Sequence, residues 1–305
     1  MGQFGRPLAV ALVCGAGLVG CGGGGDDTLD IKETSDGRIL SGSDPVGAAD
    51  FVSRTFQLLF ASAEDVAPQA TATTGTGSVR VVDDNTIVIT LPGQAAKTYN
   101  RISSTAFADG TGEVLSSEDI GSARYLYKSG GDPATDLLGA YGFETPVALR
   151  PVTATYNGTS ASEVYFVPDG SAIGLWLFEA GTVDLVANFS GSGGTIRGTL
   201  FDGEFVGVDL QNDGTADDTL FLLTTLNGVI DSKGFGGTVD GFAAFSLPGN
   251  SLGNLNLTLS DTSVDGKFFG NEANVVADTY AADMAFTPPV GPGATGTLSG
   301  FFIAE

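Results

Sequence analysis

The chain has 305 residues, among them 46 glycines, two cysteines and no histidine, and its 13 basic and 36 acidic side chains give a formal net charge of −23. The absence of histidine excludes a Ser-His-Asp triad and any histidine-ligated zinc or haem. Two cysteines are too few for a disulfide framework or a four-cysteine metal site. The acidity argues against nucleic acid as a partner, because phosphates would be repelled. Composition therefore favours a binding or structural protein, and we expect no enzymatic activity.

The first twenty residues have the form of an export signal. Arg6 precedes an apolar run from Leu8 to Leu18, which is shorter than the ~20 residues of a membrane-spanning helix. The run ends in Leu18-Val-Gly-Cys21, which resembles the cleavage site of a bacterial lipoprotein signal. The resemblance implies removal of a signal peptide, residues 1–20, and lipidation of Cys21. The alternative is an ordinary secretory signal in which a cysteine falls there by chance.

A lipidated Cys21 would hold the mature protein on a membrane through its acyl chains. The next residue is Gly22, whereas an aspartate at this position in such signals often directs retention in the inner membrane. We therefore expect an outer-membrane lipoprotein, with exposure at the cell surface as one of its two orientations. Residues 21–45 are rich in glycine, aspartate and serine, which predicts a flexible tether.

Residues 46–148 are predicted to form a small α+β handle domain. Phe51, Phe56, Leu59 and Phe60 recur at helix-like offsets, which predicts a helix over residues 47–66. Strands are then expected on either side of the turn Asp83-Asp84-Asn85 and further along the chain, at residues 78–82, 86–91, 97–102 and 123–128. Residues 138–146, rich in glycine and aromatic residues, are predicted to be a compact linker.

Residues 149–305 are predicted to form a β-barrel domain. Eleven strand-like runs follow one another without a helical pattern, and many alternate apolar and polar residues, as in Val183-Asp-Leu-Val-Ala-Asn-Phe189. Such runs with turns between them indicate an antiparallel meander that closes as a sandwich or a barrel. The other face carries Asp, Asn, Ser and Thr, and the chain has one Trp, which favours a soluble barrel over a membrane-spanning one.

Three segments of this region resemble transferrin-binding-protein-like surface lipoproteins. Residues 183–200 give a strand ending in phenylalanine, a glycine-rich turn and a strand with Gly-Thr, as in that family's barrel hairpin. Residues 264–280 resemble its closing signature, and residues 296–305 its terminal Gly-x-Phe-x-Ala-x ending. The resemblance implies a handle followed by an eight-stranded barrel filled with side chains. One departure is Asp278-Thr-Tyr280, which stands where Gly-x-Phe is expected.

The same resemblance implies a function. It implies non-catalytic binding of a protein or small-molecule ligand, in the acquisition of iron or another nutrient, and an outer-membrane receptor as a further partner. The ligand contacts of the family lie in variable loops, so no ligand-binding residue is assigned in this chain. The alternative is a structural or matrix lipoprotein of the envelope that is stabilised by calcium.

One loop has the spacing of a calcium site. Oxygen-bearing side chains stand at positions 1, 3, 5 and 9 of the segment 209–218, namely Asp209, Gln211, Asp213 and Asp217. Calcium takes six to eight oxygen ligands, and Gly214 lies at position 6, where such loops need a sharp turn. Position 12 is Leu220 and not glutamate, so the loop is not a complete EF-hand. The sequence predicts a Ca²⁺ site here, with a plain hairpin turn as the alternative.

Overall fold

The computed structural model describes residues 48–66, 69–120, 122–129, 135–168, 175–208, 218–246, 253–287 and 294–305. Within these ranges the chain folds into two closed antiparallel barrels of eight strands each. The predicted mainly-β class and the eight-stranded barrel in the second half are confirmed. The α+β handle is not confirmed, because the first half of the chain is a barrel as well.

The first barrel follows a short 3-10 turn at Ala48–Phe51. Its strands are β1 Arg54–Val66, β2 Gln69–Asp83, β3 Thr86–Thr90, β4 Lys97–Arg101, β5 Ala106–Ala108, β6 Val114–Ile120, β7 Ala123–Ser129 and β8 Thr135–Gly142. Each strand pairs with the next, and β8 pairs back with β1 to close the barrel. The predicted turn between β2 and β3 is confirmed, and the Asp83 carboxylate accepts the backbone N–H of Asn85 there at 2.8 Å.

The second barrel follows a second 3-10 turn, Val147–Leu149. Its strands are β9 Thr153–Pro168, β10 Leu175–Ser190, β11 Gly193–Val208, β12 Asp218–Ile230, β13 Phe235–Ser246, β14 Gly253–Phe269, β15 Val275–Thr287 and β16 Ala294–Ala304. A third 3-10 turn, Asn271–Ala273, joins β14 to β15. The strands again pair in chain order, and β16 closes the barrel on β9.

The predicted helix is wrong, because residues 54–66 form strand β1. Phe56, Leu58 and Phe60 alternate into the interior of the first barrel. On the other face Gln57 is exposed, but Leu59 is 1% exposed and stands opposite Ala140, which belongs to the apolar cluster between the barrels. A strand buried on both faces has an almost continuous apolar run, and such a run also satisfies helical spacing.

The compact linker predicted at 138–146 is wrong over its first part, which is strand β8. Glycines suggested a turn there, but they serve close approach between strands. A Cβ on Gly139 would lie 2.6 Å from the carbonyl oxygen of Leu59, and one on Gly142 would lie 2.3 Å from that of Ser122. Glycine inside a strand is typical of places where another backbone comes this near.

The eleven runs predicted in the second half belong to only eight strands. The breaks expected near residues 158–161, 179–181 and 260–263 are small or polar stretches inside the long strands β9, β10 and β14. In β14 the break coincides with an irregularity, since the register with β15 shifts between Ser260 and Ser263. At that shift Asp261 adopts a positive φ of 48°. The long strands therefore bend without ending.

Candidate functional site

The residues predicted to carry function lie outside the described part of the chain. Cys21 precedes its first residue, and Asp209, Gln211, Asp213 and Asp217 fall in the range 209–217, between β11 and β12. Lipidation and calcium binding therefore stay predictions. What the structure supplies is the frame around these residues and several polar sites that the sequence did not indicate.

Strand direction divides the second barrel into two ends. Short connections join strands at one end, here called the turn end: residues 191–192, 231–234 and 270–274. The connections at the other end, here called the loop end, are longer: residues 169–174, 209–217, 247–252 and 288–293. The calcium loop predicted from the sequence thus connects strand ends at the loop end.

An aromatic cluster fills the end of the first barrel where the chain enters and leaves it. The rings of Phe51, Phe56, Tyr141 and Phe143 stack at centroid distances of 5.0 to 6.0 Å. The guanidinium of Arg124 lies 4.2 Å from the centroid of Phe51, and its Nε is 2.7 Å from an Asp119 carboxylate oxygen. Phe51 and Phe143 meet although 92 positions separate them in the sequence, so the start of the first barrel lies beside the link to the second.

The two barrels form one packed unit. An apolar cluster lies between them, with Leu138 and Ala140 from the first barrel and Phe269 and Phe301 from the second among its members. The link adds polar contacts: the backbone N–H and the hydroxyl of Thr145 donate to the carbonyl oxygens of Phe268 and Gly270, at 2.8 and 2.7 Å. The Gly270 N–H donates in turn to the Phe143 carbonyl at 2.8 Å. These contacts bring the turn end of the second barrel against the aromatic end of the first.

A buried carboxylate lies near the opposite end of the first barrel. Glu113 is 5% exposed and accepts hydrogen bonds from the Lys97 ammonium at 2.8 Å and the Tyr99 hydroxyl at 2.9 Å. The Lys128 ammonium lies 3.4 Å from the same carboxylate. Burial opposes the ionisation of Glu113, but the hydrogen bonds and the two lysine charges outweigh it, so the pKa of Glu113 is lowered.

A second buried carboxylate lies inside the second barrel. Asp278 of β15 alternates with Val276 and Tyr280, which belong to the barrel core, and it is fully buried. Neither of its carboxylate oxygens has a hydrogen-bond partner within the described ranges. Burial, and then the charge of Asp265, raise the pKa of Asp278 well above its usual range. The backbone amides of Asp265 and Thr279 oppose this only weakly, since they lie near the carboxylate but outside hydrogen-bonding geometry.

Other polar groups point into the same core. The hydroxyls of Ser162 and Tyr280 are hydrogen-bonded at 2.9 Å, and the Tyr156 hydroxyl donates to the carbonyl oxygen of Ala273 at 2.7 Å. The ring of Tyr280 covers Gly300 on the neighbouring strand, where a Cβ would lie 2.1 Å from its Cζ. The aromatic residue of the altered Asp-Thr-Tyr sequence therefore packs over a glycine, while Asp278 introduces an acid into the core.

In the described part of the chain, the interiors of both barrels are filled by their own side chains. The interior clusters consist mainly of buried aliphatic and aromatic residues, so these barrels do not enclose a ligand chamber in the described part.

No group of three or more His, Cys, Asp or Glu side chains that could hold a metal occurs among the described residues. Searched over the same residues, no helix is long and apolar enough to cross a membrane.

The seam contains one polar cleft. It has a volume of about 320 Å³ and lies between Gln57 and Thr76 of the first barrel and Lys233, Asp265 and Lys267 of the second. The pKa of Asp265 is raised, first by burial and then by Glu144 and Asp231, with Lys267 opposing.

Comparisons with known proteins give a distant likeness. No protein-family model matches the chain, and no curated protein matches it. Among solved structures it is similar to a point mutant of Transferrin Binding Protein B from Haemophilus parasuis Hp5 (14% identity, TM-score 0.39) and to intact Ap-TbpB with its N and C lobes (15%, 0.37). It is also similar to the isotype 1 Transferrin binding protein B of serogroup B Neisseria meningitidis (16%, 0.39).

Each likeness covers 81% of this chain and 44%, 45% and 43%, respectively, of the solved chains, so the chain spans less than half their length. The family that the sequence resembles is thus also the family of these structures. At these sequence identities and TM-scores, the ligand of this chain has to be argued from its own residues.

Proposed function

We propose that the protein is a lipid-anchored lipoprotein of the outer membrane that presents its second barrel to a ligand and carries out no catalysis. The anchor is Cys21, on the strength of the Leu-Val-Gly-Cys sequence that ends the export signal. The ligand is a macromolecule bound outside the barrels, because the described interiors are filled by side chains. The proposed role is the acquisition of iron or another nutrient, with an outer-membrane receptor as partner.

The observation that carries this proposal is the direction in which the second barrel faces. The ring of Phe51, next to the tether, lies 5.0 Å from that of Phe143, whose carbonyl oxygen accepts the N–H of Gly270 at the turn end. The anchored side of the molecule is therefore the turn end. Strands of 11 to 17 residues, tilted as in a barrel, place the loop end roughly 30 to 40 Å away from it. The strand ends at the loop end thus lie away from the anchor, on the side where a partner would approach.

Single-cysteine labelling tests this proposal, because Cys21 is the only other cysteine of the mature chain. Ser251→Cys places a thiol at the loop end and Ser192→Cys one at the turn end. We expect a membrane-impermeant maleimide to label Ser251→Cys on intact cells. Added transferrin, the ligand named for the similar solved structures, should protect Ser251→Cys and leave Ser192→Cys reactive. Absence of labelling on intact cells, with full labelling after lysis, would contradict surface presentation. Equal labelling with and without transferrin would exclude that ligand.

The calcium-stabilised structural lipoprotein is the second candidate. It is favoured by the placement of residues 209–217, which connect β11 to β12 at the loop end and carry the predicted ligands. Calcium-dependent self-association of the purified lipoprotein, without recovery of a ligand, would support this role over capture.

A further inference from the structure

The cleft in the seam offers two opposite charges that do not touch each other. Within the described part of the chain, the carboxylate of Asp265 and the ammonium of Lys233 make no hydrogen bond or ion pair. The other charged groups of the cleft are engaged. Lys267 donates to the Lys233 carbonyl at 2.7 Å and lies 3.5 Å from Glu144. The Asp231 carboxylate accepts the backbone N–H groups of the turn that follows it, at 2.7 and 3.0 Å.

The cleft also lies where the pairing of β13 with β14 stops. Gly236 pairs with Asp265, and the next pair along these strands is Ala243 with Leu255. Between these pairs the facing edges of the two strands form no ladder among the described residues. Backbone amide groups on such edges are donors and acceptors for a ligand that has amide groups of its own. The unpaired strand edges beside the cleft therefore offer hydrogen-bonding groups for a peptide, in addition to the two charges.

We propose that this cleft binds a short peptide with both termini free. Its ammonium group would lie against Asp265, its carboxylate against Lys233, and its amide along the open edges of β13 and β14. A volume of about 320 Å³ accommodates a ligand of this size at a junction between two domains, where small-molecule sites are common. The site is independent of the proposed capture function, which uses the loop end.

Titration calorimetry on the purified mature lipoprotein tests the proposal with three matched peptides: Ala-Ala, N-acetyl-Ala-Ala and Ala-Ala-amide. Ala-Ala should bind saturably, and each blocked peptide should bind about tenfold more weakly. Asp265→Asn should weaken Ala-Ala by about tenfold but leave N-acetyl-Ala-Ala nearly unchanged. Lys233→Gln should likewise weaken the binding of Ala-Ala by about tenfold but leave the affinity for Ala-Ala-amide nearly unchanged. Asp184→Asn and Arg197→Gln, exposed positions outside the cleft, should change none of these affinities.

Three results would overturn the proposal. One is the absence of saturable binding of Ala-Ala up to about 10 mM. The second is an equal affinity for Ala-Ala in Asp265→Asn and Asp184→Asn. Backbone amide chemical shifts of the unsubstituted protein, measured by NMR, test the site without any substitution. Ala-Ala should move the signals of Gln57, Thr76 and Gly236, and changes confined to residues elsewhere would also overturn the proposal.

Discussion

The two barrels each bury a carboxylate, and they treat it in opposite ways. In the first barrel Glu113 receives two lysine ammonium groups and a tyrosine hydroxyl, and its pKa falls. In the second barrel Asp278 has no hydrogen-bond partner within the described ranges, and its pKa rises. Burial opposes the charged form in both cases, so the difference lies in the partners.

This contrast shows which charges support the fold and which oppose it. A buried charge that is paired costs stability when one partner is removed, because the other is left uncompensated. A buried acid without a partner opposes folding when it ionises, and it remains neutral as long as the pH permits. The first barrel should therefore depend on the charge of Glu113, and the second on the proton of Asp278.

The largest expected effect is from breaking the paired site. Glu113→Gln removes a charge that pairs with Lys128, which is only 8% exposed, while Lys97 can turn to solvent. We expect a loss of about 2 to 3 kcal/mol in the free energy of unfolding, measured by urea denaturation at pH 7. Asp84→Asn, at an exposed turn of the same barrel, should change it by less than about 0.5 kcal/mol. Equal stabilities of the two variants would show that the lysine pairs contribute nothing.

The two barrels should also differ in how well each tolerates a methyl group added at a strand glycine. At Gly300 of the second barrel a Cβ would lie 2.1 Å from Tyr280, whose ring cannot move without losing its bond to Ser162. At Gly75 of the first barrel it would lie 3.1 Å from the far end of Phe60, which can yield. Gly300→Ala should cost about 2 to 3 kcal/mol in urea denaturation, and Gly75→Ala less than about 1 kcal/mol. A smaller cost for Gly300→Ala would show that the second core repacks freely.

The pH dependence of stability should have opposite signs at the two carboxylates. Asp278 has a raised pKa in the folded state, so the stability due to its proton is complete below the unfolded pKa of about 3.9 and is lost as the pH rises. Relative to Asp278→Asn, the unsubstituted protein should lose up to about 1.4 kcal/mol per pH unit above that value. Denaturation midpoints of both proteins from pH 4 to 8 measure this difference. Parallel curves would mean that Asp278 is not a buried acid.

The predicted calcium loop offers a third case beside Glu113 and Asp278: carboxylates whose partner would be a bound cation. If residues 209–217 bind Ca²⁺, a tenfold excess over the dissociation constant should stabilise the protein by about 1.4 kcal/mol, seen as a higher Tm. Magnesium should act less, because it holds its waters and demands a stricter geometry. Asp213→Ala should remove the difference between the ions. Equal effects of calcium and magnesium would indicate general screening of an acidic surface.

The sequence predicted the second barrel better than the first. Strand β10 of the second barrel has one face in the core and a largely polar outer face, as at Val183 and Asp184, so alternation identified it. The first barrel packs against the second, β1 contacts β15 and β16, and Leu59 and Ala61 of β1 are buried although they do not belong to the first barrel's own core cluster. Alternation is lost wherever both faces are buried, and no local pattern reveals a partner that lies 200 residues away.

The polar sites were harder still to predict. Glu113 meets Lys97 and Lys128 only after several strands have closed the barrel, so their spacing gives no signal. One sign did exist in the second barrel: Asp278 and Tyr280 replace the Gly-x-Phe of the resembled family. That change indicated an altered position, and only the structure shows that it places an acid in the core.

The most direct test is a ¹³C NMR titration of the side-chain carboxyl groups, which follows Glu113 and Asp278 in one sample. We expect Glu113 to titrate below the usual glutamate value of about 4.3 and Asp278 above the usual aspartate value of about 3.9. Asp278 should therefore still be protonated at a pH above the usual aspartate value. Titration of Asp278 at or below the usual aspartate value, or of Glu113 above the usual glutamate value, would contradict this contrast between the two barrels.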